Sequence, residues 1–293
     1  PDAEYPLVNT EKGRFPGHFT AGFEASDALP RLVSIKAGTK VNVVPGKTKA
    51  AVEGFEMAAL EKAAAETKEE TGISFEFAAE GTVTEITATG IGAHASTPDV
   101  GNNGLTGLLV FLGKLDFASC PQVDMVRKTA SLFPHGDVNG KTLGVAMEDE
   151  LSGNLTLSFN MLSVDAASMD GEFDGRIPVC GNDENVLEVV RARMAEQGLT
   201  LLNKALIPPH HVSADSYFVK TLLAAFELYT GRKGECQALG GGTYVHHLEN
   251  GVAFGAAMPE TDNKMHGPDE FAVVDELLVS AKIFAQAIVD LCG

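Results

Sequence analysis

An α/β fold is predicted for this 293-residue chain from three observations. Short runs rich in β-branched and aromatic residues alternate with helix-periodic stretches along the whole length. The helical stretches close on Gly72, Gly198 and Gly231, the residue type that tolerates the left-handed backbone of a helix stop. One passage also occurs twice: Glu70-Thr71-Gly72-Ile73-Ser74-Phe75 matches Glu196-Gln197-Gly198-Leu199-Thr200-Leu201 in rhythm, each following a helix that follows a strand. This reads as an internal duplication of a β-α-β unit of the ferredoxin-like kind. At roughly 150 residues per domain, the length suggests two domains.

The elements follow in order. Residues 1–25 read as strand and turn, with an apolar run at 5–8 and charges around Gly13. Residues 32–35 and 41–44 are short strands about a glycine-containing turn at 37–40. Residues 57–71, rich in Ala, Glu and Lys, form a helix stopped by Gly72, and strands follow at 73–77 and 82–89. Leu105, Leu108, Leu109, Leu112 and Leu115 recur at helical spacing. The second half repeats the plan: strands at 155–164 and 171–179, a helix at 186–197 opened by Asn182, and a strand at 199–202. Ile207-Pro208-Pro209 marks a boundary. Beyond it come a helix at 213–230 and a final helix whose buried face carries Leu277, Ala281, Phe284, Ile288 and Leu291.

Composition bounds the function. Apolar residues make up 44% and charged residues 21%, an ordinary globular balance, and the net charge is −18. Such an acidic chain repels phosphate backbones and anionic membranes, so nucleic-acid and membrane partners are not expected, whereas cations and small substrates are compatible. The four cysteines, Cys120, Cys180, Cys236 and Cys292, are too sparse for a disulfide scaffold and show no CxxC pair. Neither a signal peptide nor an apolar run of ~20 residues is visible, so a soluble cytoplasmic protein is expected.

Several residues carry possible chemistry. His94, at the end of the Thr-rich strand, could donate to a developing oxyanion, although spacing alone favours an ordinary loop histidine. His266 sits in a tight Gly-Pro loop that could aim its ring at a metal. Gly240, Gly241, Gly242 and Thr243 can present successive backbone N–H groups as an anion-binding nest, or can form a simple turn. Arg176 is a natural bidentate clamp for a carboxylate, or a surface residue pairing with Asp174. His135-Gly136-Asp137 and Glu148-Asp149-Glu150 imitate metal and catalytic motifs from turn-like surroundings. The adjacent pairs His210-His211 and His246-His247 diverge in any regular backbone and are poor joint ligands.

Taken together, seven segments occur in the order of a known family. They are Pro1-Asp2-Ala3-Glu4-Tyr5-Pro6, Val41-Asn42-Val43-Val44-Pro45-Gly46, Gly90-Ile91-Gly92-Ala93-His94-Ala95-Ser96-Thr97-Pro98, Leu143-Gly144-Val145-Ala146, Asp149-Glu150-Leu151-Ser152-Gly153, Gly241-Gly242-Thr243-Tyr244 and His266-Gly267-Pro268-Asp269-Glu270. The chain resembles the bacterial di-zinc dipeptidases of the Xaa-His, carnosinase-like type, in the superfamily of aminoacylases and carboxypeptidase G. That resemblance implies an α/β catalytic domain around two zinc ions, interrupted by a lid of two fused ferredoxin-like halves. It places catalytic-domain segments at 1–12 and 207–293 and the lid at 13–206. It makes Asp2 and His266 zinc ligands and His94 the residue that stabilises the tetrahedral intermediate. Asn42 and Arg176 would help hold the substrate's C-terminal carboxylate, together with N–H groups of Gly241, Gly242 and Thr243.

The family's His-x-Asp, bridging Asp and Glu-Glu pair lie upstream of the Pro-Asp-Ala-Glu motif at which this chain begins. A two-metal hydrolase needs both ions and a base to activate water. The expectation is therefore a lid plus the C-terminal portion of a zinc dipeptidase, inactive and weakly zinc-binding by itself and completed by an N-terminal half. The duplicated lid suggests a monomeric parent. Two rival expectations are a non-catalytic binding or assembly module, and a hydrolase of N-acyl amino acids. Apolar surface left bare is expected before Gly13 and after Ile207.

Overall fold

The computed structural model describes residues 3–264 and 268–293. Its largest element is an antiparallel eight-stranded sheet. In spatial order the strands are Thr200–Leu201, Gly13–Gly22, Ser168–Ile177, Thr156–Val164, Arg31–Ala37, Lys47–Glu53, Val83–Thr89 and Ser74–Glu80. The two central strands, Thr156–Val164 and Arg31–Ala37, meet over only three register pairs, from Leu162↔Ala37 to Val164↔Ile35. They join two four-stranded halves edge to edge.

The duplication read from the sequence is visible across that seam. In one half, Lys47–Glu53 leads through helix α1 (Met57–Thr71) to the edge strand Ser74–Glu80. In the other, Ser168–Ile177 leads through a wide turn at Asp183–Leu187 and the helix Glu188–Glu196 to the opposite edge strand Thr200–Leu201. Both helices are followed by a glycine in the left-handed region, Gly72 at φ 75° and Gly198 at φ 80°. The next residue of each, Ile73 or Leu199, then drops into the core. A side chain at either glycine would cost about 1–2 kcal/mol in that conformation. Asn182 accepts from the N–H groups of Glu184 and Asn185, as an opening cap should.

Helices cover one face of the sheet. The helix Gly104–Gly113 is buried nearly all round, and Asn103 caps it by accepting from the N–H groups of Leu105 and Thr106 at 2.9 and 3.2 Å. Gly107 lets it approach the sheet: a Cβ there would lie 2.3 Å from Ile73 Cγ1. Beneath the helices the aromatic rings interlock, Phe133 on Phe159 at 4.4 Å and Phe15 edge-on to Phe173 at 4.9 Å. Glycines make room for these rings. Gly17 lies opposite Phe173 and Gly171 opposite Phe19, and a Cβ at either glycine would run into the ring.

A second core joins Tyr5 and Leu7 to Val219, Leu222, Phe226, Phe254 and Ile283. Here Leu7–Glu11 is the middle of three strands, antiparallel to His210–His211 and parallel to Cys236–Leu239. The helix Tyr217–Thr230 packs against Leu7–Glu11, and Val274–Cys292 packs in turn against Tyr217–Thr230. Tyr217–Thr230 starts on the Ser216 cap and stops at Gly231 with φ 68°.

Four readings change. Residues 13–22 are a full ten-residue strand paired along its length with Ser168–Ile177, so the chain's beginning completes the second half. The sequence reading contains neither the strand Lys47–Glu53, whose buried positions are Thr48, Ala50 and Val52, nor the helix Pro121–Leu132, whose buried stripe of Val123, Val126 and Leu132 is broken by Gln122 and Thr129. The final helix buries Ser280, Ile283 and Ala287, while Leu277 and Ile288 are 50% and 62% exposed. The bare apolar surface therefore lies after Ile207, whereas Tyr5 and Leu7 are fully buried.

Candidate functional site

The site is organised around the loop after Cys236–Leu239, which meets Arg176 of the large sheet and Glu11 of the three-stranded one. Its floor is Glu11, the last residue of Leu7–Glu11 and fully buried. Glu11 Oε1 accepts from the N–H and hydroxyl of Thr243 at 3.0 and 2.5 Å, and Oε2 meets His246 Nδ1 at 2.8 Å. His246 Nε2 faces the Pro208 carbonyl at 2.8 Å. Both ring nitrogens of His246 thus have partners inside the protein. The buried, hydrogen-bonded pair of Glu11 and His246 fixes the loop's position. Sequence reading took Glu11 as part of a charged turn, and no local signal distinguishes it.

Thr243 therefore spends its N–H and hydroxyl inside the protein and holds the loop in place. The N–H groups of Gly241 and Gly242 have no partner among the described residues and stay available to an anion. Arg176 reaches the same loop, its Nη1 donating to the Gly240 carbonyl at 3.1 Å. The guanidinium is buried, and its Nε and Nη2 donate to the two Asp174 oxygens at 2.6 and 3.1 Å. The pairing with Asp174 read from the sequence is present, though inside the protein. Burial pushes the Asp174 carboxyl up, against the pull of Arg176 and the weaker pulls of His94 and Arg14.

His94 comes from the other side. Ala93–His94 pairs with Val43–Val44, and the Asn42 carbonyl accepts from Ala95 N–H at 3.0 Å. This brings two expected site residues into one turn, with the Asn42 side chain exposed. Ser96 then sets the imidazole. Its N–H lies 3.2 Å and its hydroxyl 2.7 Å from His94 Nδ1. A backbone N–H only donates, so Nδ1 accepts, and the neutral ring carries its proton on Nε2, directed outward. Ser96 also abuts the glycine loop: a Cβ on Gly240 would lie 3.5 Å from Ser96 Cβ.

Asn42, His94, Arg176, Gly241 and Gly242 thus converge on one region, whereas Asp2 and His266 lie outside the described residues. Among the described residues, no three His, Cys, Asp or Glu side chains converge in a way that could hold a metal ion. The imitative motifs have structural duties. His135 bonds Thr106, and burial pulls its imidazole down. Burial works to raise Asp137, but the N–H groups of Thr142 and Lys141 outweigh it and hold the carboxyl low. Asp149 is likewise opposed by burial and brought down to about 2 by N–H donors from Ser152, Cys180 and Leu151 and the Ser152 hydroxyl. His210 faces the Gly251 carbonyl and His211 the Thr10 hydroxyl.

A lid-like pair of fused ferredoxin-like halves, set against a smaller α/β unit with polar groups converging between them, defines the class of fold. No protein-family model matches the chain. The β-Ala-Xaa dipeptidase of Lactobacillus delbrueckii subsp. lactis is 32% identical over 292 residues, covering 99% of this chain and 62% of that protein. YtjP of Bacillus subtilis strain 168, provisionally named a dipeptidase, is 34% identical over 298 residues, again 99% of this chain and 62% of the relative. An aminoacylhistidine dipeptidase from Vibrio alginolyticus shares the fold at a TM-score of 0.52 and 12% identity, covering 99% of this chain and 64% of its own. The chain is similar to these two bacterial proteins over 99% of its own length, and it spans about 62% of theirs.

Proposed function

We propose that the whole protein hydrolyses dipeptides that bear a free C-terminal carboxylate. The observation that carries this reading is the His94 ring, held through Nδ1 by Ser96, whose own side chain abuts Gly240 of the glycine loop. A donor held in place before the reaction stabilises the oxyanion of a tetrahedral intermediate without reorganising at the moment of attack. The carboxylate end of the substrate falls to Arg176, the Asn42 side chain and the Gly241 and Gly242 N–H groups. The family resemblance and the dipeptidase relatives support the substrate class.

The same resemblance supports two zinc ions in the whole protein, with Asp2 and His266 each supplying a ligand. Zinc would polarise the scissile carbonyl and activate water. The described residues assemble no such site, and their own contribution is to bind, orient and donate. Four unpaired thiols support a reducing cytoplasmic setting. Among the described residues, no helix is long and apolar enough to cross a membrane.

The test is steady-state hydrolysis of dipeptides and N-acyl amino acids by the whole protein and its His94→Ala variant. Removing one oxyanion donor costs about 10²–10³ in kcat, with KM little changed. Unchanged kcat in His94→Ala, or a preference for N-acyl amino acids, overturns the reading.

A further inference from the structure

Arg14 lies directly opposite Arg176 in the sheet, in the register Arg14↔Arg176, so both side chains leave the same face. That is the face away from the helices, since Phe15 and Ile177 on the other side are buried in the core. Two guanidiniums side by side repel unless each is balanced. Arg176 is balanced by Asp174 at 2.6 Å, but among the described residues the Arg14 side chain has no ion pair or hydrogen bond, and its Nε is buried with nothing to donate to. Asp174, the carboxylate on which Arg14 exerts a weak pull, is already taken by Arg176. On the far side of Arg176, Thr156 Oγ1 is also buried without a partner, in the register Thr156↔Arg176. In a chain of net charge −18, an uncommitted and half-buried arginine stands out.

Its position fits one ligand. His94 approaches from the Thr156–Val164 side, where Asn160 Nδ2 donates to the Val41 carbonyl beside Asn42. Arg14 is one strand beyond Arg176 from there. The order across the strands, His94 first, then Arg176, then Arg14, suits a dipeptide laid with its scissile carbonyl toward His94 and its terminal carboxylate toward the guanidiniums. Arg176 is paired with Asp174, and the ammonium of Lys12, two residues before Arg14, is spent on the Asn154 carbonyl, so among the described residues Arg14 is the guanidinium beside Arg176 whose donors are uncommitted.

We propose that Arg14 is a specificity-determining residue whose guanidinium pairs with the substrate's C-terminal carboxylate, beside an Arg176 that orients the Gly240 loop and donates its remaining N–H groups. The proposal rests on the dipeptidase reading above. It is tested in the whole protein by comparing each dipeptide with its C-terminal carboxamide, for the parent and for Arg14→Gln and Arg14→Lys. The parent is expected to favour the free acid by tenfold or more in kcat/KM. Arg14→Gln raises KM for the acid at least tenfold with kcat nearly kept, leaves KM for the amide unchanged and so erases the preference. Arg14→Lys restores much of it, which separates charge from misfolding. An Arg14→Gln variant that keeps the acid-over-amide preference overturns the proposal, as does a KM rise equal for acid and amide. A parent that cleaves neither compound overturns the dipeptidase reading instead.

Discussion

Replacing Glu11 by alanine tests the idea that one buried carboxylate holds the functional loop. Glu11 is fully buried and receives the Thr243 N–H at 3.0 Å, the Thr243 hydroxyl at 2.5 Å and His246 Nδ1 at 2.8 Å. Its removal strands two donors on Thr243 and a buried imidazole. Each orphaned donor costs about 1–3 kcal/mol. These costs overlap, because a water entering the hole serves more than one group, so a loss of about 3–5 kcal/mol is expected. At about 2 °C per kcal/mol for a chain of this size, Tm falls by about 6–10 °C. Glu11→Gln keeps one acceptor oxygen and falls by about half as much. The assay is thermal unfolding of the 293-residue chain, with amide exchange followed at Thr243 to catch a loop that opens locally. A Glu11→Ala protein that melts within about 2 °C of its parent, with Thr243 exchanging no faster, refutes the anchoring role.

Three further outcomes follow from the same geometry. Ala at Gly72 or Gly198, each at positive φ after a helix, lowers stability by about 1–2 kcal/mol in urea unfolding, and the two losses add. Gly17→Ala drives a Cβ to 2.0 Å from Phe173 Cζ, so the ring must move at a cost of about 1–3 kcal/mol, measured the same way. Asp149 titrates at about 2 in the fold against 3.8 unfolded, so its contribution is present above the unfolded value and disappears as pH falls from there through about 2. Asp149→Asn should flatten the stability–pH curve in that acid window and leave its shape near neutrality unchanged; an unaltered acid limb would dismiss the assignment.

The sequence carried the helix stops, the repeated strand–helix–strand rhythm and the segments that contain His94, Asn42, Arg176 and the glycine loop. These are local features: glycine marks a left-handed turn and an apolar stripe marks a buried face, wherever the rest of the chain goes. It misjudged the last helix, because Leu277 and Ile288 are as apolar as any core residue, and only the position of neighbouring elements decides that Ser280 and Ala287 face inward instead. It passed over the strand at 47–53, whose alternation is carried by alanine and threonine. Partnership was likewise invisible. Glu11 and His246 are 235 residues apart, and Arg14 and Arg176 are joined only by sheet register. Which charged groups are matched and which are left for a substrate is a sum over neighbours brought together by the fold, and no stretch of sequence contains that sum.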